Sequence, residues 1–187
     1  HAFPDHGEGF CAIHDVAVAI RALQREGVVR KALVADCDVH HGNGTAAIFG
    51  GDRSVFTLSI HHFNNYPAVK PPSTIDIHLE DGVGDEEYLA RLRPAYEAAV
   101  LGFRPEIVFY VAGVDPYEDD QLGGLALTRE GLYERDRLIF DIALRKHVPV
   151  VVTLAGGYAR KTEDTVALHV QTAVALRDSM KEWARRW

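Results

Sequence analysis

Cysteine is scarce in this chain: Cys11 and Cys37 are the only two in 187 residues. Two thiols cannot supply the disulfide framework of a small secreted fold, so a reducing, cytoplasmic setting is the expectation. Long apolar runs are lacking as well. No stretch approaches the ~18 uninterrupted apolar residues of a membrane span, and the N-terminus shows no basic-then-apolar leader. Positive charge is in deficit: 20 Lys and Arg against 27 Asp and Glu leave a net charge of −7. That balance argues against a surface built to neutralise nucleic-acid phosphates. The one basic pair with aromatic company, Arg185 and Arg186 between Trp183 and Trp187, reads as a solvated helix end. Linkers rich in Pro, Gly and Ser are missing, as are internal repeats. Residues 1–187 are therefore expected to form a single domain, and a hydrophobic fraction of 47% is enough to give it a core.

What is present is an alternation of two hydrophobic periods. Ile13, Val16, Ala17, Ile20 and Leu23 recur at helical spacing and predict a helix within Gly9 to Arg25, followed by an apolar run of strand length, Ala32 to Cys37. A second run, Ser54 to Ile60, precedes an irregular stretch, Asn64 to Ser73, where Pro67, Pro71 and Pro72 cannot continue a central strand. Asp85 is suited to capping a helix whose stripe is Tyr88, Leu92, Tyr96, Ala99 and Phe103. Then come a strand at Ile107 to Val111, a helix capped near Thr128 and running to about Arg145, a strand at Val148 to Leu154, and a final helix from Thr162. Fully apolar strands alternating with amphipathic helices imply an α/β fold, with a mostly parallel sheet flanked by helices on both faces. In such sheets, sites lie beyond the strand C-termini.

Those ends carry the chemistry. The first strand runs into Asp36-Cys-Asp-Val-His-His-Gly-Asn-Gly44. In extended chain Asp36, Asp38 and His40 project the same way. Taken singly they would read as solvated loop residues. Directly after a buried strand they form a polar group too costly to bury without partners. The strand ending at Val111 leads to Asp115 at the same edge. Asp, His and Asp with room for water make an acceptable open zinc site, and iron(II) would suit the same ligands. The last strand ends in Leu154-Ala-Gly-Gly-Tyr158, whose glycines permit a tight turn presenting the Tyr158 hydroxyl.

The segments HAFPDHGEGFC, DCDVHHGNG, VAGVDPYEDDQLGGLALT and LAGGY together resemble the histone deacetylase superfamily. The likeness covers nearly the whole chain and leans towards the class IV, histone deacetylase 11-like branch and its bacterial relatives. It implies an arginase-like α/β fold with an N-terminal portion missing here, including the first His of the family's His-His pair. On this resemblance Asp38, His40 and Asp115 match the zinc ligands. His1 matches the general base and then acid, and Tyr158 the tyrosine that hydrogen-bonds the oxyanion. Asp36 and Asn43 match residues behind the catalytic histidines. Gly9, Phe10, Tyr66 and Leu122 match tunnel positions. A structural potassium ion is implied at Asp36, Asp38, His40, Ser59 and Ile60.

The activity implied is zinc-dependent hydrolysis of an N-acyl amide, acyl-lysine in a protein or peptide being favoured over an acylated small amine such as an acetylpolyamine. A dimetal ureohydrolase is disfavoured, because Gly42 and Tyr117 stand where second-metal acids belong. A metal-bound but non-catalytic binding module is the alternative from another class. His41, His61, His62 and His78 read as structural or exposed polar residues, and Asp119 and Asp120 as loop acids or rim contacts. Asn43 stands where class I members have Asp, which leaves His1 with a neutral partner.

Overall fold

The computed structural model describes residues 1–185; Arg186 and Trp187 of the tail lie outside the described residues. Five strands, β1 (Ala32–Asp36), β2 (Val55–His62), β3 (Ile75–Leu79), β4 (Ile107–Ala112) and β5 (Val150–Leu154), form one sheet in the order β3-β2-β1-β4-β5. Every pairing is parallel, as expected of strands that are apolar on both faces. Register places Asp36 beside Val111 and Ala112 beside Leu154. The C-terminal ends of β1, β4 and β5 therefore share one edge.

Side-chain alternation along β1 splits the core in two. Leu33 and Ala35 face a layer made by α3 (Asp85–Ala98), α4 (Arg129–Arg145) and α5 (Thr162–Ala184), through buried Tyr88, Leu92, Ile139, Phe140, Leu168 and Ala175. Ala32 and Val34 face α1 (Asp15–Arg25) and α2 (Asn43–Phe49), through Val16, Ala17, Ile20 and Phe49. Most of the sheet is thus covered on both sides. The edge strand β5 is more open, with Val151 and Leu154 exposed.

Several expectations are corrected. Helix α1 begins at Asp15, not Gly9, because residues 8–11 close a tight turn with positive φ at Gly9 and Phe10, and the imidazole of His14 accepts the Ala17 N–H as cap. Asp85 does not cap α3. Gly84 does, and the Asp85 carboxylate instead accepts from Thr128 N (2.9 Å) and Oγ1 (2.6 Å), tying the starts of α3 and α4 together. Thr128 caps α4 through Gly131 N. The α3 stripe continues into a π-helical turn, Ala99–Phe103. Strand β3 and the short helix α2 were not anticipated.

Candidate active site

Beyond β1 the chain turns so that Asp38 and His40 meet Asp115 from the loop after β4. Both carboxylates are held by backbone N–H groups: Asp38 Oδ2 accepts from Gly156 (2.8 Å) and Oδ1 from His40 (2.9 Å), and Asp115 Oδ1 from Val39 (2.9 Å). Two oxygens turn to His40 Nδ1, Asp38 Oδ1 at 2.9 Å and Asp115 Oδ2 at 3.1 Å. Glycine makes this approach possible. A Cβ on Gly156 would come within 1.9 Å of Asp115 Oδ2, and one on Gly113 within 2.5 Å of Asp38 Oδ2.

Three acids, Asp36, Asp38 and Asp115, are buried here. Burial and the neighbouring Asp38 charge push the Asp36 carboxyl up to about 8 and that of Asp115 up to about 7. Burial acts in the same sense on Asp38, but hydrogen bonds and charge from His40 outweigh it and hold Asp38 below the usual carboxylate range. Burial disfavours charge on His40, yet the two carboxylates lift it to about 10. The pocket thus favours a cation between Asp38, Asp115 and His40.

A divalent metal fits that position. Ligands bound at ~2.0 Å to a tetrahedral centre stand roughly 3.3 Å apart, close to the separations found. Donor atoms of His1, Asp38 and His40 also lie within 4.8 Å of one another. His1 uses Nδ1 on Asn43 Oδ1 (2.6 Å), while Asp115 Oδ2 faces His40 Nδ1 (3.1 Å) on the side of the site. Asp115 can therefore complete a set of three with Asp38 and His40, with His1 beside it.

Above the acids opens a cavity of about 800 Å³, lined by His1, Asp38, His40, Gly156 and Tyr158 near the acids and by Phe10 at 91% exposure. Gly9, Tyr66 and Leu122 also line it. Tyr66 lies edge-on to His1, the ring centroids 5.2 Å apart. Burial and the charges of Asp115 and Asp38 raise the Tyr158 hydroxyl above its ordinary pKa, so it is a donor at neutral pH.

Three residues that the sequence reading gave no part in the site hold these parts in place. Asp120 accepts from Tyr158 N (2.6 Å) and Leu122 N (2.8 Å), which fixes the tyrosine's turn. Glu8 Oε1 accepts from Asn43 Nδ2 (3.0 Å) and Tyr66 Oη (2.5 Å). Arg135, fully buried on α4, donates Nη1 to the carbonyls of Cys37 (3.2 Å) and Gly113 (2.7 Å) and pairs with Asp136 (2.8 Å). It clamps both metal-side loops from below.

Asp36 and Ser59 are register partners on β1 and β2 and both are buried; Asp36 Oδ1 accepts from Asp38 N. Next to them, His41 Nε2 meets Asp76 Oδ1 (3.1 Å), Ser59 Oγ meets His61 Nδ1 (3.0 Å), and His61 Nε2 meets His78 Nδ1 (2.9 Å). The donor atoms of His41, His61 and Asp76 lie within 4.8 Å of one another. Most of them are engaged in hydrogen bonds, so the group reads as a brace between the metal loop and the edge strand β3. His41 thus has an acid partner in Asp76. His62 likewise pairs with Asp81 (2.7 Å).

With this geometry in hand, residues 1–174 match the family described as the histone deacetylase domain. An uncharacterized protein of Picosynechococcus is 43% identical over 95% of this chain and 59% of its own length. Histone deacetylase 2 of Arabidopsis thaliana is 32% identical over 89% and 44% respectively, and a probable deacetylase of Archaeoglobus fulgidus 34% over 85% and 47%. Among solved structures, acetylpolyamine aminohydrolase of Burkholderia pseudomallei superposes with a TM-score of 0.77 at 26% identity, covering 96% of this chain and 52% of that one. The HDA15 HD domain gives 0.73 at 28%, covering 100% and 60%. The chain spans about half the length of the curated relatives it matches.

Proposed function

From the premise that this chain belongs to the histone deacetylase family, we propose that it forms the metal centre of a zinc-dependent hydrolase of N-acyl amides, acting on acyl-lysine in proteins. The observation that carries this reading is the buried pair Asp38 and Asp115 converging on His40 Nδ1 beneath an open cavity, a donor set that selects a small divalent cation and leaves a position free. Asp38, His40 and Asp115 would hold zinc, with iron(II) as the other metal that suits them. When bound, the metal supplies a Lewis acid for the amide carbonyl and for water.

The residues around it supply the rest. His1 Nε2 takes a proton from the attacking water as the C–O bond forms, and Tyr158 donates to the oxygen that becomes negative. His1 then gives that proton to the departing nitrogen as the C–N bond breaks, releasing amine and carboxylate. Gly9, Phe10, Tyr66 and Leu122 would border the acyl chain. On the family resemblance Asp36, Asp38, His40, Ser59 and Ile60 would hold a structural potassium ion, several of them through backbone carbonyls; Asp36 and Ser59 are buried register partners. An acylated small amine is the second reading for the substrate, supported by the likeness to an acetylpolyamine aminohydrolase.

Tyr158→Phe tests the mechanism. Zinc stoichiometry should be unchanged, while kcat on an acyl-lysine peptide falls roughly 100- to 1000-fold, the range for losing one oxyanion donor. Full activity in this variant would remove Tyr158 from the reaction. Peptide and polyamine panels of varied acyl length, run on the same preparation, separate the two substrate readings.

A further inference from the structure

The neutral Asn43 beside His1 leaves a question of chemistry: an amide can turn either end towards an imidazole, and the two choices place the imidazole proton on different nitrogens. If Asn43 offered Nδ2 to His1 Nδ1, the proton would be on Nε2, and His1 could not act as a base towards the metal side. Asn43 itself is buried. The next group along resolves the choice. Glu8 Oε1 lies 3.0 Å from Asn43 Nδ2 and also accepts from Tyr66 Oη. An ionised carboxylate only accepts, so the Asn43 amide nitrogen has to face it. The Asn43 oxygen is then turned to His1 at 2.6 Å, and His1 Nδ1 has to be the donor.

We propose that Glu8 is a positioning residue which, through Asn43, holds His1 as the Nδ1–H tautomer with the Nε2 lone pair free for the reaction. This rests on the assignment of His1 as base. The local backbone is built to support it. Glu8 and Cys11 pair across a tight turn. Gly9, at φ +52, lies against the His1 ring, where a Cβ would come within 2.3 Å of Cδ2. The turn therefore fixes the ring from one side and places the carboxylate behind Asn43 on the other. Hydrogen bonds from Tyr66, and then from His6, hold the Glu8 carboxyl below its ordinary range, which keeps it an acceptor. The neutral Asn43 is thereby given a carboxylate one hydrogen bond further out, an arrangement comparable in logic to an acid that orients a catalytic histidine.

The test reads the tautomer directly. In this chain with 15N-labelled histidine and zinc bound, long-range proton–nitrogen correlations should show His1 protonated at Nδ1 alone. Glu8→Gln, which can either donate to or accept from Asn43, should give a mixture of tautomers. On an acyl-lysine peptide the same change should lower kcat roughly 10- to 100-fold, as for other orienting partners, with KM little altered. Tyr66→Phe, which also removes a hydrogen bond to Glu8, should leave the tautomer as in the parent. Asn43→Asp should make Glu8 dispensable, so that adding Glu8→Gln costs nothing further. A Glu8→Gln chain with the parent tautomer would overturn the inference whatever its turnover. If instead the tautomer follows Glu8 while His1→Ala keeps full activity, the assignment of His1 as base falls and the orienting role of Glu8 stands.

Discussion

His40 and His41 are neighbours in sequence and opposites in surroundings. His40 faces two buried carboxylates that each present an oxygen to one ring nitrogen. His41 turns away to one acid, Asp76, in a group whose other imidazoles are bonded to one another or to Ser59. Both groups bring three potential ligands within reach of a metal. The difference lies in charge and in unspent donors: the first has an excess of buried negative charge with nothing but a cation to offset it, and the second has almost none. A metal centre is marked by that imbalance more than by the residue types it contains.

The sharpest way to break the comparison is to remove an acid from each side. Asp115→Ala should abolish stoichiometric zinc binding by calorimetry, because one of only three protein ligands is lost. If Asp115→Ala still bound one zinc per chain while Asp76→Ala did not, the roles of the two histidine groups would have to be exchanged. Next in size is Arg135→Met. It leaves Asp136 buried with Tyr110 as its remaining side-chain donor and the carbonyls of Cys37 and Gly113 without the Arg135 donor, and breaking a buried pair in this way costs about 3–5 kcal/mol. Urea unfolding would measure it. A loss below about 1 kcal/mol would show that the loops beneath Asp38 and Asp115 hold themselves.

Much of this was legible beforehand, for identifiable reasons. Strands β1, β4 and β5 announced themselves because buried parallel strands are apolar throughout, and a run of acids after such a strand is conspicuous. The ligand set stands in two short motifs for the same reason. Strand β3 was missed because Ile75-Asp-Ile-His-Leu follows a proline-rich stretch and, as an edge strand, carries polar residues that blur the pattern. Helix α2 is only seven residues long, too short for a period to show. Arg135 did leave a trace: it lies on the α4 stripe between Leu132 and Leu138 or Ile139, where a charged residue is out of place unless it has buried partners. Glu8 and Asp120 left none, since their partners are 35 and 38 residues away and nothing local separates them from any loop acid.

A smaller effect sharpens the histidine contrast from the opposite side. Asp76→Asn removes the charge of the acid in the His41 group, and its cost should fall in the range of about 1–3 kcal/mol for a compromised buried hydrogen bond, with zinc stoichiometry unchanged. Equilibrium unfolding and calorimetry on the same sample report both quantities. A loss of zinc here would mean that the brace positions the metal loop through His41.

The smallest effect concerns His14, a half-buried imidazole with no carboxylate in hydrogen-bond contact. Its Nδ1 accepts the Ala17 N–H at the start of α1 and its Nε2 meets Thr45 Oγ1 (2.9 Å). Burial pushes it down from 6.5 to about 4. The folded chain therefore binds this proton less readily than the unfolded chain. The stability that His14 contributes is fully present above pH 6.5 and is lost as pH falls from there through about 4, because protonation both places a charge in a half-buried site, only partly offset by Asp15, and removes the cap acceptor. The difference between the two pKa values corresponds, after a discount for partial exposure to water, to ~2 kcal/mol. His14→Asn keeps a capping oxygen without a titrating group, so its unfolding free energy should fall less steeply between pH 6.5 and 4 than that of the parent chain. Parallel curves for the two proteins would show that His14 keeps its proton in the folded state, and that a histidine here needs no carboxylate to carry charge.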